Sequence, residues 1–189
     1  MRAILAAAVI MTAAPALAQS VTERLPVCLA CHGEKGQSAT PDVPSLGAQP
    51  KDYVLVQLYM FREKLRKVEL MNEMAKGLSD DDLRVMSEAI AKLPAPVPPP
   101  DAGDPARIER AEGIVAQNRC NFCHTANFAG QDQVPRIAGQ REDYLVKTLR
   151  EYKSNARHGY DPAMASVVAP LQDQDFADLA YYLARAKER

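Results

Sequence analysis

The chain has no long hydrophobic run beyond its first residues, no excess of charge and little histidine. A membrane-spanning helix needs about 18 uninterrupted apolar residues, and none follows the N-terminal segment. The 23 Lys and Arg against 24 Asp and Glu give a net charge of −1, without the basic excess that binds nucleic acid. Only 3 of the 189 residues are histidine, so the position of each is informative.

Residues 1–18 have the features of a secretory signal peptide. Arg2 precedes a short apolar run, and Ala16-Leu17-Ala18 is a small-residue cleavage sequence. We predict cleavage after Ala18, a mature chain that begins at Gln19 and, in a bacterial cell, export to the periplasm. The alternative, an uncleaved N-terminal anchor, requires a longer apolar run.

A proline-rich segment at 94–104 divides the remaining chain. Its sequence, PAPVPPPDAGD, cannot continue a helix and lacks apolar periodicity, which predicts an extended, semi-rigid linker. The prediction is therefore a first domain at 19–93 and a second at 105–189.

The two halves repeat the same features in the same order. The motif Cys28-Leu29-Ala30-Cys31-His32 recurs 92 residues later as Cys120-Asn121-Phe122-Cys123-His124. Ordered matches of this kind indicate duplication of one domain. Further pairs, between 91 and 93 residues apart, are Pro44 and Pro135, Gln49 and Gln140, Tyr53 and Tyr144, Arg66 and Arg157, and Leu78 and Leu171.

Each half is predicted to be all-α. Asp104 is suited to cap a helix with Pro105 at its first position, and Ser79 with Asp82 resembles a capping box. No alternating strand pattern occurs. Because domains of this size bury little apolar surface, a staple or a large cofactor is expected. One helical face of the second half is formed by Tyr144, Leu145, Thr148, Leu149 and Tyr152.

All four cysteines lie in the two Cys-x-x-Cys-His motifs, and two of the three histidines complete them. On a helical turn, residues i, i+3 and i+4 share a face, so two thiols can form thioethers to haem vinyl groups while the imidazole reaches iron. We predict two covalently bound haems c. Their thioethers come from Cys28, Cys31, Cys120 and Cys123, and their first axial ligands are His32 and His124.

Other uses of four cysteines are local disulfides, thiol exchange and zinc binding. Disulfides and thiol exchange leave the paired histidines unexplained. A zinc site would find only three ligands in each half, in a compartment that oxidises exposed thiols.

The sixth iron ligand is predicted to be methionine in both halves. Met164 is the only methionine of the second half and precedes Leu171 by seven residues, as Met71 precedes Leu78. Thioether sulfur favours ferrous iron and raises the potential. Met74 competes with Met71, and His158, near Met164, would instead make the second haem bis-histidine.

This order of motifs resembles class I cytochromes c, and the tandem arrangement resembles the cytochrome c4 family over almost the whole mature chain. The shared order is Cys-x-x-Cys-His, a proline with glutamine five residues later, tyrosine, a helix ending in arginine, methionine, and Leu-x-Asp-x-Asp. The first half departs from the pattern, with Gly-Ala-Gln for Ala-Gly-Gln and a shortened segment before Met71. The resemblance implies two tandem domains, each of a few helices wrapped around a haem.

The resemblance also implies roles for residues around the haems. The carbonyls of Pro44 and Pro135 would accept hydrogen bonds from the ring N–H groups of the axial histidines. Arg66 and Arg157 would pair with haem propionates, the alternative being that they lie at solvated helix ends.

The function that follows is outer-sphere electron transfer, with no catalytic residue and no small-molecule substrate at iron. The expected partners are periplasmic or membrane-bound redox proteins: a donor dehydrogenase or reductase complex and an acceptor oxidase. Nucleic acid is not expected. One alternative is an electron-accepting subunit of a dehydrogenase or oxidase complex, and another is a di-haem enzyme of peroxidase type.

Overall fold

The computed structural model describes residues 21–157 and 162–187. The predicted signal peptide, its cleavage site after Ala18 and the competing ligand His158 lie outside the described residues. Within them the chain is helical, and the only paired extended residues are an isolated bridge between Gln131 and Val134. The all-α prediction is confirmed.

The described part of the first half contains helices α1 to α4. They span Val21–His32 (α1), Lys51–Arg62 (α2), Glu69–Ala75 (α3) and Asp80–Ala91 (α4). Helix α2 packs against α3 and α4, and α1 packs against α4. Ser79 and Asp82 exchange side-chain and backbone hydrogen bonds, which confirms the capping box at the start of α4.

The second half follows the same order with helices α5 to α9. They span Pro105–Asn118 (α5), Cys120–His124 (α6), Glu142–Lys153 (α7), Ala163–Val168 (α8) and Asp173–Arg185 (α9). Helix α9 packs against α5 and α7. The carboxylate of Asp104 accepts the backbone N–H of Ala106, as predicted for the N-cap of α5.

The helix boundaries repeat with the spacing seen in the sequence. Both ends of α7 lie 91 residues after those of α2, and α9 begins 93 residues after α4. Where the described part of the first half, from residue 21 on, has the single helix α1, the second has α5 and α6, because Arg119 adopts the left-handed conformation with φ 52°. One domain therefore occurs twice along the chain.

The proline-rich segment 94–104 has no helix or strand, and backbone and side-chain groups along it contact both halves. The N–H and C=O of Val97 both bond to the side-chain amide of Gln37. At its other end, Asp101 pairs with Arg185 of α9 at 2.9 Å. The segment is therefore anchored along its length.

No helix in ranges 21–157 and 162–187 is long and apolar enough to cross a membrane.

Candidate functional site

Both Cys-x-x-Cys-His motifs lie on helices, one in the last turn of α1 and the other forming α6. None of the four thiols is in a disulfide: Cys31 and Cys123 are exposed, and Cys28 and Cys120 are half-buried. Burial raises the pKa of the Cys28 and Cys120 thiols. A raised pKa opposes thiol exchange, because that chemistry requires a thiolate. In the described residues no group of three or more His, Cys, Asp or Glu side chains is arranged to hold a metal ion.

Each motif histidine is buried and held by a proline carbonyl. Nδ1 of His32 lies 2.8 Å from the Pro44 oxygen, and Nδ1 of His124 lies 2.9 Å from the Pro135 oxygen. A carbonyl only accepts hydrogen bonds, so Nδ1 carries the proton and Nε2 the lone pair. Burial lowers the pKa of both rings, against a smaller opposing effect of the carbonyl bond. A neutral imidazole with Nε2 available is the form that ligates iron.

The two methionines predicted to ligate iron lie on short helices that occupy corresponding places in the two halves. Met71 is on α3 and Met164 on α8, and both are half-buried. Met164 packs against the apolar core of the second half. Met74 is 41% exposed. The assignment of Met71 and Met164 as iron ligands stays a prediction.

A buried asparagine beside Met71 was not anticipated from the sequence. Oδ1 of Asn72 accepts the N–H of Val68, and its Nδ2 donates to the carbonyls of Phe61 and Arg66 at 2.7 and 2.8 Å. These bonds tie α3 to the end of α2 and to the loop between them. Asn72 therefore fixes the position of the helix that carries Met71, and only its place next to a candidate ligand could have singled it out.

The first half has Gly47 followed by Ala48 where the second half has alanine followed by Gly139, and this reversed order has a steric cause. A Cβ on Gly47 would lie 2.0 Å from the Pro94 carbonyl oxygen, so only glycine fits there. The next residue, Ala48, then takes the left-handed conformation with φ 49°, where the second half has Gly139 with φ 67°. The backbone path is the same in both halves despite the departure from the family pattern.

Arg66 and Arg157 meet at the interface between the halves. Both donate to the hydroxyl of Tyr144, at 3.2 and 3.1 Å, and Arg157 also reaches the hydroxyl of Tyr53 at 3.4 Å. Arg157 is only 6% exposed, so the alternative of a solvated helix end is wrong for it. Burial alone would raise the pKa of Tyr144, but the two guanidinium groups lower it. For Tyr53, burial prevails and raises the pKa.

The site residues thus fit the predicted cofactor. Each half presents two unpaired thiols on one helix face, a neutral histidine oriented by a carbonyl and a half-buried methionine on a separate helix. The interface adds two guanidinium groups, which both donate to the Tyr144 hydroxyl, while Arg157 also lies 4.0 Å from the Glu151 carboxylate. Such a pair of cations is a suitable surrounding for further carboxylates such as haem propionates.

Comparison with known proteins identifies the family. A family model described as "Cytochrome c" matches residues 108–187. Cytochrome c4 of Thiocapsa roseopersicina is 33% identical over 169 residues, which cover 83% of this chain and 85% of that protein. This chain belongs to the cytochrome c4 family. It is an electron-transfer protein with two haems c.

Other members and relatives of the cytochrome c4 family agree in fold and extent. The crystal structure of cytochrome c4 from Pseudomonas stutzeri superposes with a TM-score of 0.79 at 28% identity, covering 87% of this chain and 96% of that one. A protein named thiosulfate dehydrogenase electron acceptor, from Thiomonas intermedia, is 29% identical and covers 97% of this chain and 91% of its own length.

Proposed function

We propose that this cytochrome c4 family member is a periplasmic carrier, exported with loss of its signal peptide after Ala18, that passes electrons between redox proteins. The observation that carries the proposal is the orientation of His32 and His124. Each donates its Nδ1–H to a proline carbonyl and keeps Nε2 for iron.

In each half, the side chains would hold the haem and would leave no free position at the iron for a substrate. The haem supplies one-electron redox chemistry when bound. The two cysteines would attach the haem through thioethers, and the histidine and the methionine, Met71 or Met164, would both ligate its iron. A filled coordination sphere favours electron transfer over substrate chemistry, so we propose no catalytic residue.

Residues at the interface would stabilise the haem carboxylates. Arg66 and Arg157 meet there on tyrosine hydroxyls, and Arg157 is buried. A buried cation favours a nearby anion strongly because the local dielectric constant is low. We therefore assign the haem propionates to this cluster.

A second function is favoured by one relative. The Thiomonas intermedia protein is named as the electron acceptor of a thiosulfate dehydrogenase, and its match spans nearly all of both chains. This chain would then be the electron-accepting partner of a periplasmic dehydrogenase. Purification from its native cells distinguishes the two roles: a carrier elutes alone, and a subunit elutes with a dehydrogenase.

The central test is the number of haems and the start of the mature chain. Intact mass of the exported protein should show two haem additions on a chain that begins at Gln19, and haem staining should survive denaturing electrophoresis. A mass that corresponds to free thiols or disulfides would contradict the proposal.

A further inference from the structure

Two buried glutamines reach across the interface and bind the opposite half in the same way. Oε1 of Gln140 accepts the N–H of Ser45 at 2.8 Å, and its Nε2 donates to the Ser45 carbonyl at 2.9 Å. Gln49 does the same with Arg136, at 3.0 and 2.9 Å. All four residues are buried. Because Gln49 and Gln140 are 91 residues apart, as are Ser45 and Arg136, the contact repeats with the approximate twofold symmetry of the two halves.

These glutamines bind the same peptide groups whose carbonyls accept hydrogen bonds from the axial histidines. The N–H of Ser45 belongs to the same peptide group as the carbonyl of Pro44, which accepts from His32 at 2.8 Å. The N–H of Arg136 shares a peptide group with the Pro135 carbonyl, which accepts from His124. A single planar peptide group therefore joins each axial histidine to a glutamine of the opposite half.

We infer that each glutamine tunes the haem of the other half: Gln49 acts on the haem ligated by His124, and Gln140 on the haem ligated by His32. A hydrogen bond to the peptide N–H polarises the group and makes its carbonyl a stronger acceptor. A stronger acceptor increases the basicity of the imidazole, which stabilises ferric iron and lowers the potential. Gln49 and Gln140 are thus positioning residues, and the inference rests on the proposed histidine ligation.

The amide orientation is determined by the partners. Each glutamine faces both the N–H and the C=O of a single residue, so its oxygen must face the N–H and its nitrogen the C=O. The two sites differ in one respect. Oε1 of Gln140 also accepts the N–H of Arg141, whereas the residue after Gln49 is Pro50, which has no N–H. A change at Gln49 therefore deprives only the opposite half of a partner and is the cleaner test.

The test is Gln49→Met in the full-length protein with both haems bound. Methionine keeps the length of the side chain and cannot hold the Arg136 peptide. We expect a higher midpoint potential for the second-half haem with the first-half haem unchanged, and a displaced proton resonance for the ring N–H of His124. Gln140→Met should raise the midpoint potential of the first-half haem and displace the ring N–H resonance of His32. The second readout, the His124 proton, reports the hydrogen bond itself and not general stability.

Gln37→Met is the matched control, because Gln37 binds the N–H and C=O of Val97 in the same manner, on a peptide group that supports no histidine. Both potentials should stay at their wild-type values. If Gln49→Met folds poorly, Gln49→Asn, one methylene shorter, should produce the same crossed shift.

The inference is overturned if Gln49→Met shifts the first-half haem, shifts both equally, or shifts neither while two haems are bound. The proposed function is not affected by that result. It fails separately, if the wild-type protein lacks two covalent haems or lacks the haem–methionine charge-transfer band.

Discussion

Met71 and Met74 lie three residues apart on α3, and their side chains differ in how far they are exposed to solvent. The outer face of this helix carries Leu70 and Met74, which are 63% and 41% exposed. The inner face carries Met71 with the buried Asn72 and Ala75. Residues three apart are also neighbours on a helix surface, so Met71 lies next to Met74 but on the more buried side, and the two methionines differ in exposure. The half-buried position suits an iron ligand better than the exposed one.

We therefore expect the first haem of reduced Met71→Ala to bind carbon monoxide. In Met74→Ala, as in the wild type, the first haem should not bind it. Removal of a thioether ligand leaves a vacant sixth position. The visible spectrum after mixing with carbon monoxide measures the effect, and Met164→Ala should open the second haem. Binding to Met74→Ala but not to Met71→Ala would exchange the assignment in the first half.

Among the helices, α5 and α9 are joined by an ion-pair cluster around a buried carboxylate. The side chain of Asp178 is 2% exposed and accepts from Arg110 at 2.7 Å and from Arg107 at 3.0 Å. The corresponding position of α4, 93 residues earlier, is the exposed Val85. The second domain thus has a buried, ion-paired carboxylate at a position where the first has an exposed apolar side chain.

Asp178→Asn should lower the stability of the second domain by about 2 kcal/mol at pH 7. The hydrogen bonds from Arg110, assisted by Arg107 and opposed by burial, lower the pKa of Asp178 from 3.8 to about 2. A lowered folded-state pKa stabilises the fold above about pH 4, and this stabilisation is lost as the pH falls towards 2. Denaturant unfolding at several pH values should show the difference from wild type shrinking over that interval.

Asp173→Asn is the control, because Asp173 pairs with Arg150 on the surface and is 72% exposed. Exposed pairs contribute between about 0 and 1 kcal/mol, so this variant should stay close to wild type. An equal loss in both variants would contradict the special role of the buried carboxylate.

For the whole molecule, two small helical domains bury little apolar surface by themselves, so we expect each haem to add to the core of its own half. The double change Cys120→Ala and Cys123→Ala should remove one haem from the intact mass and unfold the second half at lower temperature than the first. Loss of thioether attachment weakens cofactor binding in that half alone. The mirror variant, Cys28→Ala with Cys31→Ala, should affect the first half. Loss of both haems from either variant would show that the halves do not bind haem independently.

Features encoded by neighbouring residues were predictable. The capping box at Ser79 and the cap at Asp104 depend on side chains within three residues of the groups they bind. The orientation of His32 and His124 by prolines about a dozen residues away was expected from the family resemblance, and both bonds are present. The break at Arg119 between α5 and α6 was not expected, because helical periodicity does not report a single left-handed residue.

By itself the sequence determined the all-α class, the duplication and the residues that can bind haem, because spacing along a helix decides which side chains share a face. The tertiary structure alone decided how the halves meet. Gln49 and Gln140 each bond to a peptide group about 90 residues away, and Arg66 and Arg157 converge on Tyr144. Such contacts depend on the docking of two folded domains, and local periodicity carries no information about partners at that separation.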